Sequence, residues 1–215
     1  MGTDERKKKE KEIRKNDIIE AAEKVIFAKG FDNSSMDDIA KAAEFSKRTL
    51  YVYFSSKEQL YFAIMVKGYK LLIDKLDQAS QTWTYGNALE RIKKIGMTFY
   101  AFNVEHPDYF KAIMEYENGE LDFEYSMCDK DKEECYVLGE KVFAYLVNAI
   151  KDGIEEGVIK RDADVVKTAL VLWSCIIGVF NTANKKAKYL MQYHETSPDV
   201  LIEEAFTFLI KALRI

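Results

Sequence analysis

The sequence predicts an all-α protein, and three observations point to that class. Only two of the 215 residues are proline and ten are glycine, too few for a chain with frequent β-turns. Apolar residues make up 48% of the chain, which excludes wholesale disorder and permits a buried core. Nearly every segment repeats its apolar residues with helical period, and no segment requires a strand.

The first predicted helix ends before Gly30, a residue suited to the left-handed conformation that closes helices. Its buried face is marked by four residues at helical spacing: Ile18, Ala22, Val25 and Ile26.

Two short helices and one long helix are predicted next. Residues 35–38 read Ser-Met-Asp-Asp, a capping box that begins the second helix, and Ser46 caps the third. Ser56 and Gln59 form another capping box, which opens a long helix running into the late seventies. Helix starts this close together predict a compact three-helix domain over residues 1–56 with a long helix leading out of it.

The rest of the chain, residues 57–215, is predicted as one larger helical domain. Its helix boundaries are marked by Asn87, Pro107, Gly157, Asp162 and the Ser197-Pro198 pair.

The N-terminus and the cysteines predict a cytoplasmic protein with free thiols. No apolar stretch follows the charged N-terminal residues, so a secretory signal is not expected. Cys128, Cys135 and Cys175 lack CxxC spacing, which makes a disulfide framework or a zinc site improbable. The apolar run 168–184 is shorter than the roughly 20 residues that cross a bilayer, so no membrane segment is predicted.

The net charge of −4 conceals two segments of opposite sign. Residues 1–70 carry 15 Lys and Arg against 12 Asp and Glu, a net charge of +3. Residues 71–215 carry 17 against 24, a net charge of −7. Nine acids fall within residues 115–134, part of which (118–127) is predicted as a loop. The N-terminal segment is therefore the one suited to an anionic partner.

No enzymatic pattern is found. The chain has no HExxH, GxSxG or Walker sequence, and neither His106 nor His194 belongs to a Glu-x-x-His pair. We therefore predict no catalytic residue, no metal and no cofactor.

Residues 35–60 have the pattern of a helix-turn-helix. Ile39, Phe45, Leu50 and Phe54 are expected to pack inward, while basic and hydroxyl side chains lie on the opposite face. Helix N-termini attract phosphate, so these side chains are well placed for DNA. The predicted DNA-binding residues are Ser35, Ser46, Lys47, Arg48, Thr49, Tyr51, Tyr53 and Lys57.

The same residues resemble the TetR (tetracycline-repressor-like) family of bacterial transcription regulators. The run Ser46-x-x-Thr-Leu-Tyr-x-Tyr-Phe-x-Ser-Lys-Glu-x-Leu60 carries the likeness, together with Gly30-Phe31 and the capping box before it. The resemblance implies a homodimeric, ligand-responsive regulator, a repressor released from a palindromic operator in double-stranded DNA. Two positions depart from the family, which usually has glycine at the turn, here Glu44, and often glycine in place of Arg48.

The resemblance also implies a pocket for a small effector in the middle of the chain, where aromatic residues are frequent. The candidate pocket residues are Phe99, Tyr100, Phe102, Asn103, Tyr109, Phe110, Met114, Tyr136 and Phe143. Tyrosines beside polar residues suit an amphipathic or aromatic effector. The acidic stretch 115–134 leaves a cationic effector open, with a solvated surface as the alternative.

The last two predicted helices each carry more apolar surface than one buried face requires, which favours self-association. The resemblance implies a two-fold dimer built by these helices, and the alternative is that both faces are internal. The predicted dimer residues are Trp173, Ile177, Phe180, Leu201 and Phe208.

A second function class remains, a helical ligand-binding or adaptor protein that no longer binds DNA. The presence of Lys47, Arg48, Tyr51 and Lys57 argues against it. Salt-dependent binding to random duplex DNA separates the two classes.

Overall fold

A computed structural model of the chain describes residues 3–81, 86–117 and 130–214. These residues form ten α-helices and no β-strand, which confirms the predicted all-α class. The helices are α1 (Thr3–Lys29), α2 (Met36–Ala42), α3 (Lys47–Tyr53), α4 (Lys57–Ser80), α5 (Ala88–Glu105), α6 (Pro107–Glu117), α7 (Lys130–Glu155), α8 (Val165–Lys185), α9 (Ala187–His194) and α10 (Pro198–Leu213). The loop predicted over 118–127 lies outside the described residues.

Side-chain caps set most of the helix starts that the sequence predicts. Ser35 Oγ accepts the Asp38 N–H, and the Asp38 carboxylate accepts the Ser35 N–H, which completes the capping box of α2. Asn87 and Ser197 likewise accept a backbone N–H from the first turn of α5 and α10. Each cap satisfies a donor that a helix start leaves without an intrahelical acceptor.

One prediction about the C-terminal helices is wrong, and one helix was not predicted. Asp164, not Asp162, caps α8 by accepting the Lys167 N–H. The helix α9 was not predicted; it starts after Lys186 without a side-chain cap and ends at Glu195 in the left-handed conformation, with φ of 51°. Neither end therefore bears a sequence signal of the usual kind.

The helices pack into two compact units. The first unit comprises Met1–Lys70 and His106–Leu138, and the second comprises Leu71–Glu105 and Gly139–Ile215. The unit boundaries fall inside α4 and α7 because the first turns of α4 pack with α6 and with the start of α7. The Tyr61 hydroxyl donates to the Ala112 carbonyl, and the Cys135 thiol donates to the Phe62 carbonyl. The predicted boundary after residue 56 separates a DNA-binding domain from an effector-binding and dimerisation domain, and this functional division stays a prediction.

The second unit is built on contacts of α10 with α5 and α8. Phe180 stacks on Phe99 with 6.0 Å between ring centroids and meets Phe206 edge-on at 6.4 Å. Gly96 of α5 lies against Phe206, where an added Cβ would come within 2.0 Å of the ring. Glycine at this position therefore allows α5 and α10 to pack closely.

Among the helices that the structure describes, α8 is long and apolar enough to cross a membrane by length and composition alone. Its most apolar window has a mean hydropathy of 1.6, and 22% of that window is buried. The exposed remainder of α8 is an apolar surface.

Candidate nucleic-acid interface

The turn between α2 and α3 places the two helices for a helix-turn-helix. Ile39 and Ala40 of α2 are buried at the helix crossing, and the Phe45 N–H donates to the Ala40 carbonyl at 3.0 Å. Glu44 adopts the left-handed conformation with φ of 57°, as expected for a position where the family usually has glycine. The turn therefore keeps its geometry without the glycine.

A local hydroxyl pair caps α3. Ser46 Oγ accepts the Thr49 N–H at 3.1 Å and lies 2.8 Å from Thr49 Oγ1. Leu50 and Phe54, one turn apart, are buried beneath the helix. These contacts orient α3 so that its opposite face is exposed.

The exposed face of α3 carries most of the predicted DNA contacts. The side chains of Lys47 and Arg48 are exposed, Tyr51 is 48% exposed, and Tyr53 is half-buried. The structure adds Val52, which is 72% exposed and is not among the predicted DNA-binding residues. The signal was present in the helical spacing, since position 52 lies opposite Leu50 and Phe54.

Lys47 forms an ion pair with the neighbouring helix. Its ammonium lies 2.9 Å from the carboxylate of Asp37 in the first turn of α2, and this hydrogen bond raises the pKa of Lys47. Both side chains are about half exposed, so the pair contributes little to stability. The ion pair places the Asp37 carboxylate on the same surface as the residues predicted to bind DNA.

The ammonium of Lys57 lies against the α1–α2 turn. It donates to the carbonyls of Phe31 at 2.6 Å and Ser34 at 2.9 Å, and it lies 4.0 Å from the centroid of the Phe31 ring. A contact from Lys57 to a DNA phosphate stays a prediction. In such a contact the Lys57 ammonium would bind the phosphate as well as the two carbonyls. Ser35 likewise uses its hydroxyl in the α2 capping box.

The second unit encloses an apolar cavity with a volume of about 20 Å³. It is lined from four helices by Leu76, Ile92, Ile95, Gly96, Phe99, Val142, Leu146, Trp173 and Ile176. A cavity of this size holds about one water molecule, whereas ligand sites usually measure about 300–1,000 Å³. A larger ligand therefore requires these side chains to move apart.

The predicted effector residues are distributed over both units. Phe99, Tyr100, Phe102, Asn103 and Phe143 belong to the second unit; Tyr109, Phe110, Met114 and Tyr136 belong to the first. Of the nine, Phe99 alone lines the apolar cavity. Sequence reasoning missed the aliphatic residues of that cavity because their helical spacing is the same as that of any core.

Several polar members of the predicted pocket have partners on neighbouring helices. Tyr100 donates to Asp199 at 2.6 Å, and Asn103 exchanges amide hydrogen bonds with Asn184. Tyr136 is exposed and accepts a hydrogen bond from Tyr116 at 3.1 Å. These side chains tie helices together within their own units.

The predicted dimer residues fall into two groups. Ile177 and Phe180 are buried in the second unit, and Trp173 lies 5.0 Å from Phe99, so these three contribute to the core of one chain. Leu201 is half-buried, and Phe208 is 72% exposed. The exposed large apolar residues of the two helices are Val166, Leu170, Val171, Val200 and Phe208.

The first unit also contains an open groove of about 470 Å³ between α1, α4 and the start of α7. Charged side chains of both signs line it, among them Lys15, Lys67, Lys70, Asp131 and Glu134. None of the predicted effector residues lies in this groove. Across the described part of the chain, no group of three or more His, Cys, Asp or Glu side chains could hold a metal ion.

Comparison with known proteins connects this geometry to regulators of transcription. The family model for bacterial regulatory proteins of the tetR family matches residues 18–64, which contain α2 and α3. The HTH-type transcriptional regulator YhgD of Bacillus subtilis is 28% identical over 166 residues, 77% of this chain and 82% of that relative. YfiR of the same organism is 35% identical over 74 residues, a match that spans 34% of this chain and 36% of YfiR.

Two solved structures share the fold over nearly the whole chain. AibR in complex with isovaleryl coenzyme A and operator DNA has a TM-score of 0.60, with 23% identity, and 94% of this chain and 98% of that one are covered. FadR from Bacillus subtilis in complex with stearoyl-CoA has a TM-score of 0.67, with 18% identity and coverage of 92% and 98%. The matched relatives are transcription regulators rather than enzymes. Residues 18–64 therefore match the tetR family of bacterial regulatory proteins, and the chain as a whole is similar to HTH-type transcriptional regulators.

Proposed function

We propose that the regulator is a homodimeric repressor that places α3 of each subunit in a major groove of a palindromic operator. The observation that carries this proposal is the orientation of α3: Leu50 and Phe54 are buried, while Lys47, Arg48 and Tyr51 face solvent. A dimer of this kind contacts half-sites about 34–36 Å apart, or a multiple of that spacing. The predicted DNA-binding domain is residues 1–56, and the protein acts in the cytoplasm.

The proposed dimer forms through α8 and α10. Val166 and Leu170 lie one turn apart on α8, and Phe208 on α10 is 72% exposed. Exposed apolar faces on neighbouring helices are typical of subunit interfaces. A second copy related by a two-fold axis would bring the same two helices from each subunit together. This interface also accounts for the low burial of the apolar helix α8 without a membrane.

Replacing Phe208 with aspartate tests the dimer. We expect the wild-type protein to sediment as a dimer and Phe208→Asp as a monomer, because a carboxylate at the centre of an apolar interface costs several kcal/mol, about 2–5, of association free energy. Val104→Asp, at an exposed apolar position of α5, is the matched control and should stay dimeric. A wild-type protein that is monomeric at micromolar concentration would contradict both the dimer and the palindrome.

The proposed effector is a small amphipathic molecule whose apolar part enters the cavity of the second unit. The lining of that cavity is apolar throughout, which suits an acyl chain. The likeness to AibR and FadR, solved with isovaleryl coenzyme A and stearoyl-CoA, supports an acyl-coenzyme A thioester. Entry would separate the lining helices, and the energy for that change must come from tighter effector binding to the open state.

In this proposal α4 transmits the change, because it begins in the first unit beside α3 and ends in the second, where Leu76 lines the cavity. An effector that binds the two states unequally would shift the DNA affinity by a coupling of about 1–3 kcal/mol. The domain over residues 57–215 then combines effector binding with dimerisation.

Fluorescence anisotropy of a labelled operator, selected from a random duplex library, tests the effector. Isovaleryl coenzyme A and stearoyl-CoA are added in turn, with coenzyme A alone as the control. We expect at least one thioester to lower DNA affinity, and Leu146→Phe to remove that response while DNA binding persists, because the larger side chain occupies the small cavity. Release by coenzyme A alone, or an unchanged response in Leu146→Phe, would contradict the proposed site.

A further inference from the structure

Arg48 and Val52 form one outward row on α3. The inward side of this helix is defined by Leu50 and Phe54, which are buried. Positions 48 and 52 are four residues apart and lie on the opposite side, so their side chains project most directly away from the protein. The exposed fraction of Val52, 72%, agrees with this geometry.

The other polar side chains of α3 lie beside this row or are already paired. Lys47 is in an ion pair with Asp37, and the Thr49 hydroxyl is paired with Ser46. Tyr51 lies on the flank of the helix. Within residues 3–81, 86–117 and 130–214, by contrast, the Arg48 guanidinium has no hydrogen bond or ion pair. Arg48 is therefore available for a new bidentate contact.

The side chains of Arg48 and Val52 suit contacts with base edges rather than with phosphates. Valine has no donor for a phosphate oxygen, and the group on a base edge that suits an apolar side chain is the C5-methyl of thymine in the major groove. The corresponding partner of arginine is guanine, which offers O6 and N7 to the two donors of a guanidinium. The two side chains thus match two different bases.

The spacing of the row matches the spacing of base pairs. Four residues of an α-helix rise about 6 Å. Two base-pair steps of B-DNA rise about 6.8 Å. Helix and groove can therefore stay in register from Arg48 to Val52.

We propose that Arg48 and Val52 are the base-reading pair of α3. In each half-site Arg48 contacts a guanine, and Val52 packs on the methyl group of a thymine two base-pair steps away. This inference rests on the proposed placement of α3 in the major groove. It goes further by naming the two bases that the regulator recognises in each half-site.

Selection and methyl deletion together test the inference. The full-length wild-type protein is used to select sites from a random duplex library, and the consensus should contain a guanine and a thymine two steps apart in each half-site. Replacing that thymine with deoxyuridine removes only the methyl group. We expect this change to weaken wild-type binding by about 3- to 10-fold. Deoxyuridine at thymines outside the site is the DNA control.

Two variants assign each base to its residue. Val52→Ala should bind the thymine and deoxyuridine duplexes with equal affinity, and Arg48→Ala should lose the preference for guanine while keeping the preference for thymine. Val104→Ala, at another exposed valine, should behave as wild type. These readouts are base-specific, so a general loss of stability would not reproduce them.

Two results would overturn the inference alone: a Val52→Ala protein that still distinguishes thymine from deoxyuridine, or a consensus without the guanine–thymine spacing. Failure of the wild-type protein to select any sequence would instead contradict the proposed function, and the inference with it.

Discussion

Lys57 illustrates how the surroundings of one residue set its role. Its position at the start of α4 favours a phosphate contact, because a helix N-terminus attracts anions. In the structure its ammonium binds the carbonyls of Phe31 and Ser34 and lies over the Phe31 ring. These contacts join the start of α4 to the turn between α1 and α2, and so hold the helix-turn-helix in place.

Lys57→Met is expected to lower the free energy of unfolding by about 1–3 kcal/mol, because two charge-assisted hydrogen bonds are lost while the apolar stem is kept. Urea denaturation measures this change, and Lys41→Met, at an exposed position of α2, should have little effect. If Lys57→Met were as stable as wild type and bound DNA less tightly, Lys57 would act through phosphate alone.

At the scale of the helix, tyrosine hydroxyls link the elements of the first unit to carboxylates. Tyr109 of α6 donates to Glu23 of α1 at 2.7 Å, and Lys67 of α4 lies 2.8 Å from the same carboxylate. Glu23 is buried, so its two partners compensate for the loss of water around its charge. One carboxylate thereby joins three helices.

This cluster predicts a loss of stability at alkaline pH. Burial, followed by the hydrogen bond to Glu23, raises the pKa of Tyr109 from 10.0 to about 12. The folded state holds the phenol proton more tightly than the unfolded state does. Its contribution to stability is therefore complete below pH 10 and is lost as pH rises from 10 to about 12.

Urea denaturation from pH 8 to 11.5 measures this effect, and Tyr109→Phe should show a shallower decline than wild type because it has no phenol to ionise. Burial also raises the pKa values of Tyr61 and Tyr69, so part of the decline should remain in the variant. Tyr193→Phe, at a highly exposed site, is the control. Identical declines for Tyr109→Phe and wild type would argue against the Glu23 contact.

For the whole molecule, the positive charge of the N-terminal segment is confined to the start of α1. Residues 3–15 carry seven Lys and Arg against four Asp and Glu, whereas residues 16–70 carry eight of each. The segment matched by the family model, 18–64, therefore lies wholly within a region of zero net charge. Lys15 lies 5.5 Å from the ring of Phe54, the residue that ends α3, so the basic start of α1 passes close to the proposed reading helix.

The start of α1 should therefore supply much of the non-specific attraction to DNA. Replacing Lys7, Lys8 and Lys11 with glutamine is expected to weaken binding to random duplex DNA and to reduce the slope of log affinity against log salt by about 1–3. Replacing Lys185, Lys186 and Lys188 changes the net charge equally in the second unit and is the control. Equal slopes for wild type and the α1 variant would contradict this role.

Local interactions account for the parts of the fold that the sequence predicts well. The capping box of α2, the end of α1 at Gly30 and the turn at Glu44 each depend on atoms within about four residues of one another, so a short pattern suffices. The assignment of Asp162 rather than Asp164 to the start of α8 shows the limit of such patterns. Two acids two residues apart both fit the pattern, and in the structure the Asp164 carboxylate accepts the Lys167 N–H.

By itself the sequence determined that the chain is helical, that α2 and α3 form a capped helix-turn-helix, and that positive charge lies at the N-terminus. The tertiary structure decided which face of each helix is buried. It placed Phe180 in the core and left Phe208 exposed, engaged Lys57 with two carbonyls, and turned Val52 outward. Helical period is the same for a core face, a dimer face and a DNA face, and contacts between residues distant in the sequence determine which one forms.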